Sequence, residues 1–267
     1  MDEDFNTILE LLQTFPSEQT CIDHLETLRW PNEDVISPFD SKSKVYKCAG
    51  NRYRCKETGK YFNVKTGTLF DNTKIKLQKW FLAIWLVTSH KKDISSVQLS
   101  KDIGVTQKSA WFMLQRIKNC FGYDNGNEVF NEVEVDETYV GGKNKNKHVS
   151  KRTGGTQGRS TKDKAAVFGM VERGGKLNAK HVFDIGIITL TAEIVKHVKD
   201  ATIYSDEWLG YNTLKRIYDH HFIKHLQFYV DEFVFRYNTR TGNEGQRFNL
   251  FLSNTEKRIK YQDLINA

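Results

Sequence analysis

This sequence of 267 residues contains few cysteines and no long apolar run. The four cysteines, Cys21, Cys48, Cys55 and Cys120, are too few and too scattered for a disulfide framework, so we expect a reducing compartment. The most apolar stretch, residues 80–87, is far too short to span a bilayer, and the acidic N-terminus has no signal-peptide core. These absences predict a soluble cytoplasmic protein that does not bind a membrane.

Acidic residues are outnumbered by basic ones. Forty Lys and Arg against 33 Asp and Glu give a net charge of +7 and a pI near 9.0, which favours a polyanionic partner. Hydrophobic residues make up 39% of the chain and aromatic residues 12%, which is enough for a folded core. The length predicts a small domain followed by a medium-sized one.

Two apolar, strand-like runs each end by presenting an acidic pair, the first at Asp136 and the second at Asp206. A carboxylate at the end of a buried strand is costly unless it is compensated, and a divalent metal is the usual compensation. In a basic chain, two such carboxylates indicate Mg²⁺-dependent chemistry on phosphodiesters. Glu134 and Glu137 are weaker candidates, and Glu137 is expected to point away from Asp136 because strand neighbours face opposite sides.

The N-terminal part of the chain predicts a helix over residues 17–30, ended by Pro31, and a small β element over residues 45–70. In the β element, aromatic residues alternate with basic ones. Such a pattern suits a surface that touches phosphates and packs on sugars or bases. It equally suits a small β core with solvated lysines between its aromatic residues, and the sequence favours neither interpretation.

Residues 97–117 have helix-turn-helix form: a short helix, a turn at Gly104, and a second helix capped by Thr106. In such a unit the polar residues that open the second helix would face the major groove of DNA. An ordinary αα-hairpin is the alternative, but the surrounding positive charge favours DNA contact. The predicted DNA contacts in this unit are Thr106, Gln107, Lys108 and Ser109.

After a linker-like segment over residues 122–131, strands and a helix over 191–199 predict a mixed α/β sheet. The loop over residues 143–164 carries eight Lys or Arg and one acid. A solvated, flexible loop is the default interpretation. Its position directly after Asp136, however, would bring a cationic arm to a phosphate substrate. The predicted DNA contacts in this loop are Lys143, Lys145, Lys147, Lys151, Arg152 and Arg159.

Taken together, these motifs resemble those of bacterial insertion-sequence transposases, which have an N-terminal zinc ribbon, a helix-turn-helix and an RNase H-like DDE domain. The resemblance covers nearly the whole chain, is strongest over residues 134–143 and continues through 205–208 and 231–238. It implies that Asp136 and Asp206 are the first two acidic residues of the catalytic triad and bind Mg²⁺ or Mn²⁺. It also implies cleavage of transposon ends, joining of their 3′ ends to target DNA, a homo-oligomer on double-stranded DNA, and a nucleoid-associated location in the cytoplasm.

The zinc ribbon of this family departs from its pattern here. Its first Cys-x-x-Cys knuckle aligns with residues 37–40, which contain no cysteine, and its second with residues 55–58, which keep only Cys55. A structural zinc site needs about four thiolate or imidazole ligands. We therefore expect no zinc ligands, and a metal-free ribbon-like fold held together by its aromatic residues.

The third catalytic residue is also affected. Family members continue after the equivalent of residues 218–225 through a block with a His-Thr-Asn motif, an Ile-Glu pair and a Lys-Arg helix. In this chain residues 226–233 follow at once and resemble the sequence beyond that block, so we expect that an internal deletion has removed the third ligand. Glu232, on a predicted helix over 223–237, could be a surrogate ligand, a surface acid or the partner of Arg236.

The sequence thus predicts an α+β multidomain protein with a truncated RNase H-like mixed sheet. The predicted domains are 1–72, an N-terminal helix with a degenerate zinc-ribbon-like module; 73–121, the helix-turn-helix region; and 128–267, the DDE domain without its third-motif block. The predicted function is Mg²⁺-dependent transposition, impaired by the loss of the third acidic residue. The alternative is a DNA-binding remnant without catalysis that occupies transposon ends and inhibits intact copies.

Overall fold

The computed structural model describes residues 5–90, 93–122, 128–141, 148–149, 164–183, 187–205 and 225–266. The chain forms two compact units. The first unit comprises Met1–His90, Ile94–Cys120 and Gly242–Ala267, and the second unit comprises Lys91–Asp93 and Phe121–Thr241.

The first unit begins with two short helices and a small antiparallel sheet. Each helix starts at a capping box, in which a hydroxyl at Thr7 or Ser17 accepts a backbone N–H three residues later. The sheet has the order β1-β2-β3 and confirms the small β element predicted from the sequence. The elements are α1 (Ile8–Thr14), α2 (Glu18–Arg29), a 3-10 turn (Pro31–Glu33), β1 (Val45–Cys48), β2 (Arg52–Cys55) and β3 (Tyr61–Phe62).

The helices that follow are α3 (Leu77–Ser89), α4 (Ser96–Ile103) and α5 (Gln107–Cys120). Helix α4 ends at Gly104, whose φ of 60° is left-handed and lets its backbone N–H reach the carbonyl of Ser100. Two residues later the Thr106 hydroxyl accepts the Ser109 backbone N–H at 3.2 Å and so caps α5. The predicted pair of helices with a turn at Gly104 is therefore present, whereas its role in DNA recognition stays a prediction.

The second unit is built on a four-stranded mixed sheet with the order β6-β5-β4-β7. Strands β4, β5 and β6 form an antiparallel meander, and β7 returns to pair in parallel with β4 after the helix α6. A mixed sheet with helices confirms the α+β class. The elements are β4 (Val129–Val140), β5 (Ala165–Glu172), β6 (Leu177–Val182), α6 (Ile187–His197) and β7 (Val198–Ser205), so the predicted helix over 191–199 begins and ends earlier than expected.

Each face of this sheet is covered by a helix. On one face Val133, Val135 and Phe168 pack with Leu190 and Ile194 of α6. On the other face Val140, Val167 and Ala179 pack with Leu226, Val230 and Val234 of α7 (Leu226–Asn238). Because side chains alternate along a strand, β4, β5 and β6 each contribute to both clusters. The sheet is therefore an inner layer between α6 and α7.

Helix α7 is fastened to the edge strand β6 at both ends. At one end the Gln227 side chain accepts the backbone N–H of His181 at 2.8 Å. At the other end the Asn238 side chain accepts the N–H of Leu177 at 2.8 Å and donates to its carbonyl at 3.0 Å. These amides complete backbone hydrogen bonds that an edge strand would otherwise direct to solvent.

The C-terminal helices α8 (Glu244–Leu252) and α9 (Tyr261–Asn266) belong to the first unit. Phe248 of α8 meets Phe5 and Phe81 edge to face, each with ring centroids 5.3 Å apart. The backbone N–H of Leu69 donates to the Thr255 carbonyl at 2.8 Å. The chain thus returns to the first unit after Thr241, although the sequence extended the predicted DDE domain to residue 267. A compact unit need not coincide with a domain defined by family resemblance. The predicted domain limits therefore stay predictions: 1–72, 73–121 and 128–267.

Candidate functional site

Asp136 lies on β4, an inner strand of the mixed sheet. Val135 and Tyr139 of this strand pack on the α6 side, and Val140 packs on the α7 side. By alternation, Asp136 faces the α7 side and Glu137 the α6 side. The two neighbours therefore point to opposite faces, as the sequence predicted. Glu137 is not placed to bind the same metal ion as Asp136.

Asp136 is half-buried and is held at a defined position on its strand. Its register partner on β5 is Gly169, which has no side chain to cover it. The backbone N–H of Glu137 donates to Asp136 Oδ1 at 2.8 Å and fixes one oxygen. Oxygen ligands of this kind suit Mg²⁺ and Mn²⁺.

The second predicted ligand follows the described end of β7. Ser205, the residue before Asp206, is the register partner of Val135, the residue before Asp136. Asp206 itself lies outside the described residues. Within the described ranges, no three His, Cys, Asp or Glu side chains are grouped so that they could hold a metal ion.

Glu134 is occupied by another partner. Arg173 Nε donates to Glu134 Oε1 at 2.6 Å, and Arg173 Nη1 donates to Glu132 Oε2 at 3.0 Å. The Arg173 guanidinium also lies over the Tyr204 ring, 4.4 Å from its centroid. The hydrogen bond with Glu134, followed by that with Glu132, raises the pKa of Arg173. Glu134 is therefore part of an ion-pair network beside Asp136, which explains a carboxylate at this position without a metal.

Glu232 is fully buried and forms an ion pair with Arg236 Nη2 one helical turn later. Val230 and Val234 of the same helix pack on the sheet. At about 100° per residue, Glu232 lies about 200° around the helix axis from Val230, on the side away from the sheet. Of the three roles that the sequence left open for Glu232, the structure shows the Arg236 partner. The surrogate-ligand role is not supported, because Asp136 lies on the sheet face that Val230 covers.

A family described as the ISXO2-like transposase domain matches residues 128–226, which include β4 to β7 and both predicted aspartate ligands. Over 217 residues the chain is 31% identical to an uncharacterized protein in transposable element ISH50 of Halobacterium salinarum. That alignment covers 76% of this chain and 72% of the relative. The chain belongs to the insertion-sequence transposases. The resemblance drawn from the sequence is confirmed.

In this transposase the polar residues that open α5 lie on the surface. Thr106, Gln107 and Lys108 are exposed and Ser109 is half-buried. Gln107 Nε2 donates to the Ser96 hydroxyl at 2.8 Å, which ties the start of α5 to the start of α4. The predicted major-groove contacts are thus available to a partner, and DNA recognition by them stays a prediction.

The basic loop over residues 143–164 of the transposase lies largely outside the described residues. Its predicted DNA contacts lie outside the described residues: Lys143, Lys145, Lys147, Lys151, Arg152 and Arg159. Among the described parts of the chain, no helix has the length and apolarity needed to cross a bilayer.

The residues at the degenerate knuckles surround one cysteine with hydroxyl groups. The buried Cys55 thiol lies beside the hydroxyl-bearing side chains of Ser37, Ser43 and Thr58, and Ser37 is itself buried. Ser37 and Thr58 each accept a backbone N–H two residues later, from Phe39 at 3.2 Å and from Lys60 at 3.4 Å. One thiol among hydroxyls does not fit zinc, which takes thiolate, imidazole or carboxylate ligands. Zinc analysis that returned one equivalent per chain would contradict this conclusion.

The Cys55 cluster predicts a pH dependence. Its hydrogen bonds with Ser37, then with Ser43 and Thr58, lower the pKa of Cys55 from 9.0 to about 6. Because the folded pKa is below the unfolded one, this thiol stabilises the fold increasingly between pH 6 and 9, and the contribution is lost as pH falls through 6. We expect the unfolding free energy of the wild type, relative to Cys55→Ser, to rise over that interval.

The measurement is chemical denaturation of both proteins at several pH values, together with thiolate absorbance in the ultraviolet. Cys120→Ser is the control, because burial raises the pKa of Cys120 to about 12. A Cys55-dependent thiolate signal that appeared only near pH 9 would contradict the prediction.

Proposed function

We propose that this insertion-sequence transposase binds DNA ends and carries a DDE-type site in which Asp136 and Asp206 would hold a divalent metal, with catalysis impaired because the third ligand is missing. The observation that carries the proposal is the position of Asp136. A half-buried carboxylate on an inner strand, opposite a glycine and oriented by a backbone N–H, is a suitable metal ligand. The parallel pairing of β7 that ends at Ser205, beside Val135, supports Asp206 as its neighbour.

The topology supports an RNase H-like domain. An antiparallel meander, a helix, and a fourth strand that pairs in parallel with the first give the order β6-β5-β4-β7. This order makes β4 and β7 neighbours, so that carboxylates at matching positions of both strands would approach each other. A metal bound there would activate a water or 3′-hydroxyl nucleophile and stabilise the leaving oxygen. Asp136, whose Oδ1 is fixed by the Glu137 N–H, would orient that ion.

The impairment is supported by Glu232. The acid that could have replaced the missing ligand is buried, paired with Arg236 and on the side of α7 away from the sheet. A metal site with two carboxylates neutralises the ion poorly and positions it loosely, which costs orders of magnitude in rate. This same observation favours a second candidate function, a DNA-binding protein that occupies transposon ends and inhibits intact copies.

A cleavage assay tests the proposal. The substrate is duplex DNA that carries the ends of the element encoding the chain, with Mg²⁺ or Mn²⁺ added. We expect salt-sensitive binding and 3′-end cleavage that is orders of magnitude slower than that of a transposase with all three acidic ligands. Residual cleavage abolished by Asp136→Asn supports an impaired enzyme, and no cleavage at all supports the end-binding inhibitor. Turnover as fast as that of the intact transposase would refute the impairment, and failure to bind DNA would refute the proposal as a whole.

A further inference from the structure

The small sheet of the first unit has two unlike faces. Along β2, Tyr53 and Cys55 are buried, whereas Arg52 and Arg54 are exposed. On the buried face Tyr53 stacks on Phe62, with ring centroids 5.7 Å apart. The aromatic residues of this segment therefore form a core on one face only. The sequence pattern allowed either a core or a nucleic-acid surface, and the other, exposed face is free of that core.

The exposed face carries a row of alternating ring and cation across all three strands. Tyr46 of β1 is the register partner of Arg54, and Arg54 is that of Tyr61 on β3. The two tyrosines remain 44% and 55% exposed, which is high for residues of this size. We call Tyr46, Arg52, Arg54 and Tyr61, with the adjacent Lys44, the ribbon row.

The cations of the ribbon row lie over its rings. The Cζ atoms of Arg52 and Arg54 are 5.7 and 5.9 Å from the ring centroid of Tyr61. Lys44 Nζ is 5.6 Å from the ring centroid of Tyr46. Stacking of this kind restricts the long side chains and leaves their N–H donors available at the edges. Rings that already carry cations offer less surface to unstacked bases, whereas the ordered donors fit phosphate oxygens.

We propose that the ribbon row contacts the phosphate backbone of duplex DNA, without reading sequence, as a contact surface separate from the start of α5. The inference rests on the proposed DNA binding of this transposase and adds a surface to it. The charge of the row is complementary to a duplex, and its exposed position on a sheet face suits a polymer backbone. Tyr61 is a positioning residue, because it holds the two guanidinium groups.

The test compares three proteins on element-end duplex DNA over a range of salt concentrations: the wild type, Arg52→Gln with Arg54→Gln, and a charge-matched control. The control is Lys196→Gln with Lys199→Gln, two exposed lysines at the end of α6 and the start of β7. Loss of two phosphate contacts makes the negative slope of log K against log salt shallower by about two. It also lowers the affinity by about tenfold at low salt. We expect the same loss on unrelated duplex DNA, and a wild-type slope for the control.

Tyrosine variants separate the positioning role from charge. We expect Tyr61→Phe to bind like the wild type and Tyr61→Ala to bind several-fold more weakly at unchanged net charge. If the arginine variant misfolds, the single exchange Arg54→Glu replaces it, since Arg54 is exposed. Wild-type affinity and salt slope in the folded arginine variant would show that the ribbon row does not contact phosphates. The proposed function would not be affected by that result. A wild-type protein that did not bind DNA would overturn both.

Discussion

Replacing Asp136 by Asn is expected to lower Mn²⁺ affinity at least about 100-fold, because an amide oxygen carries no charge. Loss of a residue that only hydrogen-bonds to a metal ligand already costs about 10- to 100-fold, and loss of the ligand itself costs more. The exchange keeps the size of the side chain and can still accept the Glu137 N–H, so the fold should persist. Mn²⁺ titration followed by water-proton relaxation measures the affinity on protein alone. Circular dichroism verifies that the sheet is intact.

The matched control for this exchange is Glu137→Gln, one residue away on the opposite face of β4. It removes the same charge from the same strand, and we expect it to bind Mn²⁺ like the wild type. Asp206→Asn should behave like Asp136→Asn. Equal affinities in Asp136→Asn and Glu137→Gln would show that Asp136 is not a metal ligand.

Replacing Glu232 by Gln is expected to lower the free energy of unfolding by about 3–5 kcal/mol, because the buried Arg236 guanidinium loses its partner charge. Chemical denaturation followed by circular dichroism measures the change. The exposed pair of Lys56 and Glu57, 3.9 Å apart, supplies the control, and Glu57→Gln should cost less than about 1 kcal/mol. Exchange of both buried partners for leucine should restore most of the lost stability.

This exchange also distinguishes a structural acid from a hidden metal ligand. If Glu232 were the third ligand, Glu232→Gln would weaken Mn²⁺ binding as strongly as Asp136→Asn. We expect no change in Mn²⁺ affinity for the folded Glu232→Gln protein, since Glu232 lies on the side of α7 away from the sheet. A stable Glu232→Gln protein that lost Mn²⁺ binding would reverse the assignment.

Local patterns in the sequence were sufficient for much of the fold. Alternation along β4 placed Asp136 and Glu137 on opposite faces, and the turn at Gly104 separated α4 from α5. The spacing of Glu232 and Arg236, one turn apart, already suggested an ion pair, but only tertiary packing could reveal that the pair is buried. A signal from one element is readable when the interactions that create it are local.

Long-range contacts explain what the sequence did not predict. Strand β7 begins at Val198, inside the range predicted to be helical, since it pairs with β4 from Val129 onward. The return of α8 to the first unit depends on Phe248 meeting Phe5 and Phe81, which are far away in the chain. The hydroxyl groups that replace knuckle ligands around Cys55 could have been suspected from Ser37 and Thr58. Ser43 could not, because it lies outside both knuckle motifs.

The hydrogen bonds from the side-chain amides of α7 to the backbone of β6 have a consequence for self-association. An uncovered edge strand is a template on which a strand of another molecule can add and extend the sheet. Gln227 and Asn238 occupy the N–H groups of His181 and Leu177 that such an incoming strand would need. Pairing of a strand from a second molecule with β6 is therefore disfavoured at Leu177 and His181.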